Sequence, residues 1–362
     1  MPDQVPFFSL SEQSKLLKSK VLEKLSRIID ETDFILGREI LEFEKSFAEY
    51  CETNFALTVN NGSAALYVAL EALGVKAGDE IILPSATFVA TAFAVSQIGA
   101  TPIFADINPD TWTIDPASVK SKITNRTRAV IAVHLYGNPC AMDDLTSIAE
   151  ENNILLIEDA AQAHGARYKG KKVGSIGDVG CFSFYPSKNL GAMGEAGAVV
   201  YKDIEHHEAM MAYRNCGKDF TGAHVYKGFN YRMPTFQAAV LNTKITLIDG
   251  FNQKRNTIAT HYKSGIQNDK LIWQKVQERS SSVYHLFVVK PDNRQKFIEH
   301  LKINGIGYSL HYKKPVHLEP AYKTVDILPV TEDLFSKCVS IPMFPEMTTE
   351  QMKRVVEVLN TY

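Results

Sequence analysis

Between residues 55 and 200 the chain alternates two hydrophobic rhythms. Short apolar runs rich in β-branched residues recur as "FALTV" (Phe55 to Val59), "EIIL", "TPIFADI", "RAVIAVHLYG" and "ILLIEDA". Between them lie segments whose apolar residues fall three or four apart, as in "NNGSAALYVALEALG", where Leu66, Ala69, Leu70 and Leu73 share one helical face. "PSATFVATAFAVSQIGA" and "MDDLTSIAEENN" follow the same spacing. Strand and helix taking turns predict an α/β fold with a parallel sheet covered on both faces, and strands this uniformly apolar predict burial from both sides.

After Tyr201 the alternation stops. "PTFQAAVLNTKITLIDGFNQKRNTIATHYKSGI" reads as a helical bridge, "VYHLFVVK" as a strand, and "DNRQKFIEHLKING" as a helix closed by Gly305. The last helix, "TTEQMKRVVEVLN", is opened by a capping box of Thr348 and Gln351. A length of 362 residues exceeds what one core usually supports. The expected division is a large domain over residues 1–250, with an N-terminal helical segment, and a smaller α+β domain over 251–362.

Composition removes several function classes. The 39 basic and 41 acidic residues are mixed along the chain for a net charge of -2, so no field exists for nucleic acid or an anionic membrane. Any anionic ligand has to meet a local site. Five irregularly spaced cysteines lack the pairing of a zinc site or a disulfide scaffold, which favours a reducing, cytoplasmic setting. The N-terminal "MPDQVPFFSLSEQSKLL" has no signal pattern and no apolar run spans a membrane, so the reading is a soluble, unexported protein. Ten histidines show no two-His-plus-carboxylate spacing on a helix, so no metal is expected.

Two glycine patterns imitate nucleotide binding and fail. "GARYKGKK" nearly spells a P-loop, but Lys172 stands where Ser or Thr is required and no long helix follows. "GSIGDVG" and "GAMGEAG" repeat glycine every third residue, which is not the dinucleotide fingerprint.

The chemistry concentrates around "FSFYPSKNLGAMGEAGAVV", where Lys188 stands alone among small, aromatic and apolar residues. An unpaired ammonium is costly to bury, so this lysine either turns to solvent or is kept for chemistry. Asp159 ends an apolar run at the edge where open α/β sheets bind ligands, a position that helix capping also explains. A lysine that forms imines, an acid at a strand end and a helix starting at "NNGSAAL" together suit pyridoxal phosphate. Burial makes the lysine a better nucleophile. The aspartate keeps the pyridine nitrogen protonated: opposite charges about 4 Å apart interact by roughly 4 kcal/mol at an effective dielectric near 20. That is about three pKa units, beyond what a neutral Asn supplies.

"NNGSAALYVALEALGVKAGDEIILPSATFVATAFAV", "VHLYGNPCAMD", "IEDAAQAHGA", "GDVGCFSFYPSKNLGAMGEAGAVV" and "GFNYRM" together resemble the DegT/DnrJ/EryC1/StrS family of sugar aminotransferases, in the right order and over nearly the whole chain. The resemblance implies a fold type I pyridoxal-phosphate enzyme, with a mostly parallel, mixed seven-stranded sheet and a homodimer sharing its active sites. It implies that Lys188 is the Schiff-base lysine, that Asp159 pairs with the pyridine nitrogen, and that Gln162 bonds the ring hydroxyl. Phe88 would stack on the ring, and Gly62, Ser63, Ala64 and Ser183 would hold the phosphate, with Asn230 reaching in from the neighbouring subunit. Relatives with histidine in place of this lysine are dehydrases, so Lys188 favours transamination.

The implied substrates are L-glutamate and a nucleotide-diphosphate keto-sugar, with Tyr185, Lys227, His311, Tyr312 and His317 as candidate contacts. A satisfied loop histidine and solvated surface lysines compete with those roles. Gln162 and the "GYSLHYKKPVHLEPAY" segment resemble relatives that aminate C3 of a dTDP-linked 3-keto-6-deoxyhexose; amination at C4 of a UDP-, GDP- or dTDP-linked sugar is the competing reading.

Overall fold

The apolar runs of the first two hundred residues form strands in the computed structural model, which describes residues 4–322 and 324–362. They are β1 (Phe55–Val59), β2 (Glu80–Pro84), β3 (Thr101–Ala105), β4 (Thr127–Val133) and β5 (Leu155–Asp159), then a small hairpin of β6 (Arg167–Tyr168) and β7 (Lys171–Lys172), then β8 (Val179–Ser183) and β9 (Gly197–Tyr201). Seven of them build one sheet in the order β1-β9-β8-β5-β4-β2-β3. β9 runs antiparallel to both neighbours, and the remaining pairs are parallel. The mostly parallel, mixed seven-stranded sheet is the expected one. The P-loop imitation becomes the β6–β7 hairpin, with Gly170 at φ +86° in its turn.

Helices α1 (Ser11–Glu31) and α2 (Arg38–Cys51) precede the sheet; α3 (Gly62–Ala72), α4 (Ala90–Gln97), α5 (Pro116–Ser121) and α6 (Met142–Asn152) connect its strands. Successive strand residues point to opposite faces. Ile82 and Val130 therefore join Phe43 and Phe47 of α2 in one core, while Ile81 and Ile131 join Leu66 and Leu70 of α3 in the other. This double burial is why the strands carry no polar face.

Helices α7 (His207–Arg214), α8 (Thr235–Ile245) and α9 (Ile248–Gly265) lead to the smaller part. There β10 (Leu271–Trp273) and a short β11 (Ser280–Ser281) precede β12 (Phe287–Pro291), α10 (Arg294–Ile303), α11 (Pro329–Lys337), β13 (Val339–Ile341) and α12 (Thr349–Asn360). β10, β12 and β13 form an antiparallel sheet, and β11 pairs with β6. The capping box of Thr348 and Gln351 is formed.

Helix α9 crosses position 250: Ile248 packs in the large core and Tyr262 in the small one. Val5 also belongs to the small core, bridging Ile306, so residues on both sides of the large sheet's sequence build that core. A fourth cluster joins Trp112, Leu135 and Tyr136 to Leu286, Leu334 and Phe335 across the two parts.

Candidate active site

Asp159 and Val133 end parallel strands, and Ser183 ends β8 beside them, all at one edge of the sheet. A cavity of about 720 Å³ opens there, and Lys188 lines it. The turn between β8 and β9 that carries Lys188 folds back tightly: the Ala192 N–H donates to Phe184 O at 2.8 Å, and the Lys188 N–H to Tyr185 O at 2.8 Å. Gly191 is required in it, because a Cβ there would lie 2.3 Å from Pro186 O. From behind, buried Lys244 donates to Gly191 O at 2.6 Å. The Lys188 side chain is half-buried, and its low-dielectric surroundings lower its pKa to about 8, a pull that Asp159 partly opposes.

Asp159 is 6 % exposed and faces the same cavity. Thr91 Oγ1 donates to its Oδ2 at 2.9 Å and the Ala161 N–H to its Oδ1 at 3.2 Å. Burial raises its pKa against those two donors. One bond to each oxygen leaves acceptor capacity for a further cationic partner. The preceding residue anchors the strand end: Glu158 is fully buried and accepts from the Gly174, Ile176 and Gly177 N–H groups at 2.7, 2.7 and 2.8 Å. His134 Nε2 completes the set at 2.9 Å, while its Nδ1 accepts from the Cys140 N–H at 3.1 Å.

Gln162 is held at both ends of its amide. Its Oε1 accepts from the Tyr136 N–H at 2.7 Å and its Nε2 donates to Tyr312 Oη at 3.0 Å, which leaves one amide hydrogen free. Phe88 is 54 % exposed, tilted against Tyr312 at 5.6 Å between ring centroids. An aromatic so open at the wall of a cavity is available to cover a ligand. His311 bonds Ser340 Oγ through Nδ1 at 2.9 Å, and burial together with Lys188 holds its pKa down at about 4.

At the start of α3, Asn61 caps the helix by accepting from the Ala64 N–H at 2.8 Å. Gly62 and Ser63 keep first-turn N–H groups that no preceding helical carbonyl reaches. A Cβ on Gly62 would lie 2.7 Å from Ser183 Cβ, so glycine is what allows helix start and strand end to meet in a concave cradle.

The cavity thus gathers Gly62, Ser63, Phe88, Asp159, Gln162 and Ser183. Tyr185, Lys188, His311 and Tyr312 complete the expected residues found there. Four expected residues lie elsewhere. Ala64 is buried in the helix with its amide committed to Asn61. His317 is fully buried, with Nδ1 2.6 Å from Ser85 Oγ and Nε2 3.3 Å from Glu332 Oε1, and so clamps its loop to the end of β2. Lys227 and Asn230 sit on an exposed loop before α8, where Asn230 Oδ1 accepts from Arg232 Nε at 2.9 Å. Thr87, Thr91, Glu195 and His285 also line the cavity and were not anticipated. Only "PSATFVATA" held a signal for any of them, since Thr87 and Thr91 stand one helical turn apart beside Phe88.

These residues fit pyridoxal phosphate: an amine of lowered basicity, a half-satisfied carboxylate, an open aromatic face and a cradle of free amides share one cavity. A model of the DegT/DnrJ/EryC1/StrS aminotransferase family matches residues 15–360. The chain is 40% identical to dTDP-3-amino-3,4,6-trideoxy-alpha-D-glucose transaminase of Streptomyces venezuelae, over 99% of this chain and 96% of that one. It is 39% identical to dTDP-3-amino-3,6-dideoxy-alpha-D-galactopyranose transaminase of Aneurinibacillus thermoaerophilus, over 99% of each. Among solved structures, S. venezuelae DesV in complex with a ketimine intermediate matches with a TM-score of 0.97 at 40% identity, over 100% of this chain and 98% of that one. Sequence, fold and cavity agree from end to end, and the chain belongs to the DegT/DnrJ/EryC1/StrS family of pyridoxal-phosphate-dependent aminotransferases.

Proposed function

We propose that the enzyme transfers an amino group from L-glutamate to C3 of a dTDP-linked 3-keto-6-deoxyhexose. The observation that carries this reading is the pairing of Lys188 and Asp159 in one cavity, in a chain whose two relatives described above are both dTDP-3-amino-sugar transaminases.

Pyridoxal phosphate supplies an aldehyde for amine exchange and a ring that accepts electrons. Asp159, its carboxylate aimed by Thr91 and the Ala161 N–H, would keep the ring nitrogen protonated. Gln162 would offer its remaining amide hydrogen to the ring oxygen, and Phe88 would cover one ring face. The free N–H groups of Gly62 and Ser63, with the Ser183 hydroxyl, would receive the phosphate at a helix N-terminus. Ala64 contributes backbone shape, since its own N–H serves the cap.

Lys188 is nucleophile, base and acid in turn. With a pKa near 8 a useful fraction of its amine is neutral at physiological pH, ready to take a proton from the donor's α-carbon and later return one to the sugar carbon. His311, neutral because its pKa is depressed, offers a hydrogen-bonding edge to the sugar beside Tyr312 and Tyr185.

The exposed loop that carries Lys227 and Asn230 belongs, in this reading, to the site of a second copy in a homodimer. Phe220 and Phe229 on that loop are 89 % and 53 % exposed, an apolar surface suited to burial against another chain. Five unpaired cysteines suit a reducing cytoplasm. Incubation with L-glutamate and a panel of 3-keto and 4-keto nucleotide sugars, with products read by mass spectrometry and NMR, tests the proposal: a 3-amino sugar is expected, and a 4-amino product or none overturns the C3 assignment.

A further inference from the structure

His285 lines the cavity with Lys188, and no step above uses it. Its protonation pattern follows from its neighbours. Asn189, the residue after Lys188, is buried, and its Nδ2 donates to Val283 O at 3.0 Å and to Asn252 Oδ1 at 2.8 Å. A carbonyl only accepts, so the amide nitrogen must be the atom facing Val283, and Asn189 Oδ1 must be the atom facing His285 Nδ1 at 3.2 Å. Asn252 agrees, because its own Nδ2 is used on the carbonyl of His164 at 2.8 Å. His285 Nδ1 therefore carries the proton.

The ring is also neutral. Burial and the cations Lys188 and Arg255 hold its pKa well below the ordinary value. Arg255 is fixed close by, donating to the His285 carbonyl at 3.2 Å. A neutral imidazole protonated at Nδ1 has a bare lone pair at Nε2, an acceptor with no proton to give. Carboxylate and phosphate oxygens have nothing to offer such a group; an amine does.

We propose that His285 Nε2 is the acceptor that holds the free amine of Lys188, turning the amine's lone pair toward the carbons between which it carries protons. This rests on the role of Lys188 given above. An amine with one N–H held at the cavity wall has its lone pair confined to the other side, which is the orientation proton abstraction needs. Because His285 is tied to Asn189, the amine and its acceptor move together with the same turn. His285 acts through Lys188 and is a positioning residue.

Two substitutions separate the ring's two nitrogens. His285→Asn keeps a donor near Nδ1 for Asn189 and removes the cavity acceptor; His285→Gln places an oxygen near Nε2 and gives up the bond to Asn189. The first readout is capture of pyridoxal phosphate by the apo-protein against pH. An acceptor favours the ammonium form, so its loss in His285→Asn lowers the capture midpoint below that of the wild type, and His285→Gln restores it. The second is single-turnover kinetics of the holoenzyme. His285→Asn slows the glutamate and keto-sugar half-reactions alike, by roughly 10- to 100-fold, with KM for both substrates unchanged. An unchanged midpoint with unchanged half-reactions overturns the proposal, as does a defect confined to the sugar half-reaction, which would make His285 a sugar contact. If the wild type transaminates nothing, the functional reading falls, and the capture midpoint still decides for or against His285.

Discussion

Thr91 donates to Asp159 Oδ2 at 2.9 Å and sits 2.8 Å from Thr87 Oγ1, so the hydroxyl chain runs from Thr87 through Thr91 into the carboxylate. Thr91 has one proton, and giving it to Asp159 obliges Thr87 to donate to Thr91. The chain lowers the pKa of a carboxyl that burial raises. Thr91→Val removes the donor at constant shape. It is expected to weaken pyridoxal phosphate binding by about tenfold, the size of one hydrogen bond to a charged group, while Thr91→Ser stays near the wild type. Equilibrium dialysis of the cofactor checks this.

The pKa of Lys188 near 8 has a visible consequence in the apo-protein. Capture of pyridoxal phosphate requires the neutral amine, so its rate climbs with pH and levels off above about 8, well below the 10.4 of an exposed lysine. The sign for stability is fixed as well. Between those two values the unfolded chain binds the extra proton, so this group adds stability as pH rises through the window. Stopped-flow absorbance follows the first effect. Urea unfolding of the wild type and Lys188→Met follows the second, with the variant more stable at pH 7 and the difference closing above about pH 10.

Glu158 accepts from three N–H groups and from His134 Nε2, whose proton position is set by the Cys140 N–H on Nδ1. Glu158→Gln places an amide donor against donors. The imidazole cannot switch tautomer to receive it without facing the Cys140 N–H with a proton of its own. A loss of about 3 kcal/mol in unfolding free energy is expected, comparable to breaking a buried ion pair. Denaturant unfolding measures it, and the cofactor should bind more weakly because Asp159 is the next residue.

What the sequence made legible divides along physical lines. The strands were readable because residues such as Ile81 and Ile82 are both apolar, one for each core. Lys188, Asp159 and Gln162, which line one cavity, could be picked out because each stands in a contiguous motif. His285 was not, since what marks it is a neighbour 96 residues away in the chain, and the spacing of Thr87 and Thr91 hinted at Thr91 without revealing its partner 68 residues away. His317 is the converse case, fully buried and outside the cavity. A histidine in a proline-bounded loop looks like a ligand contact, and only its bonds to Ser85 and Glu332 reveal a clamp. Val5 on the small core was likewise invisible, because a single bridged residue has no periodicity.

The measurement that tests the account most directly is the absorbance spectrum of the protein loaded with pyridoxal phosphate, before and after L-glutamate, for the wild type and Lys188→Ala. The wild type should show a band near the visible edge that moves to shorter wavelength with glutamate, and the variant should fail to turn over. A wild-type spectrum that glutamate leaves unchanged, or a Lys188→Ala protein that still transaminates at the normal rate, would contradict it.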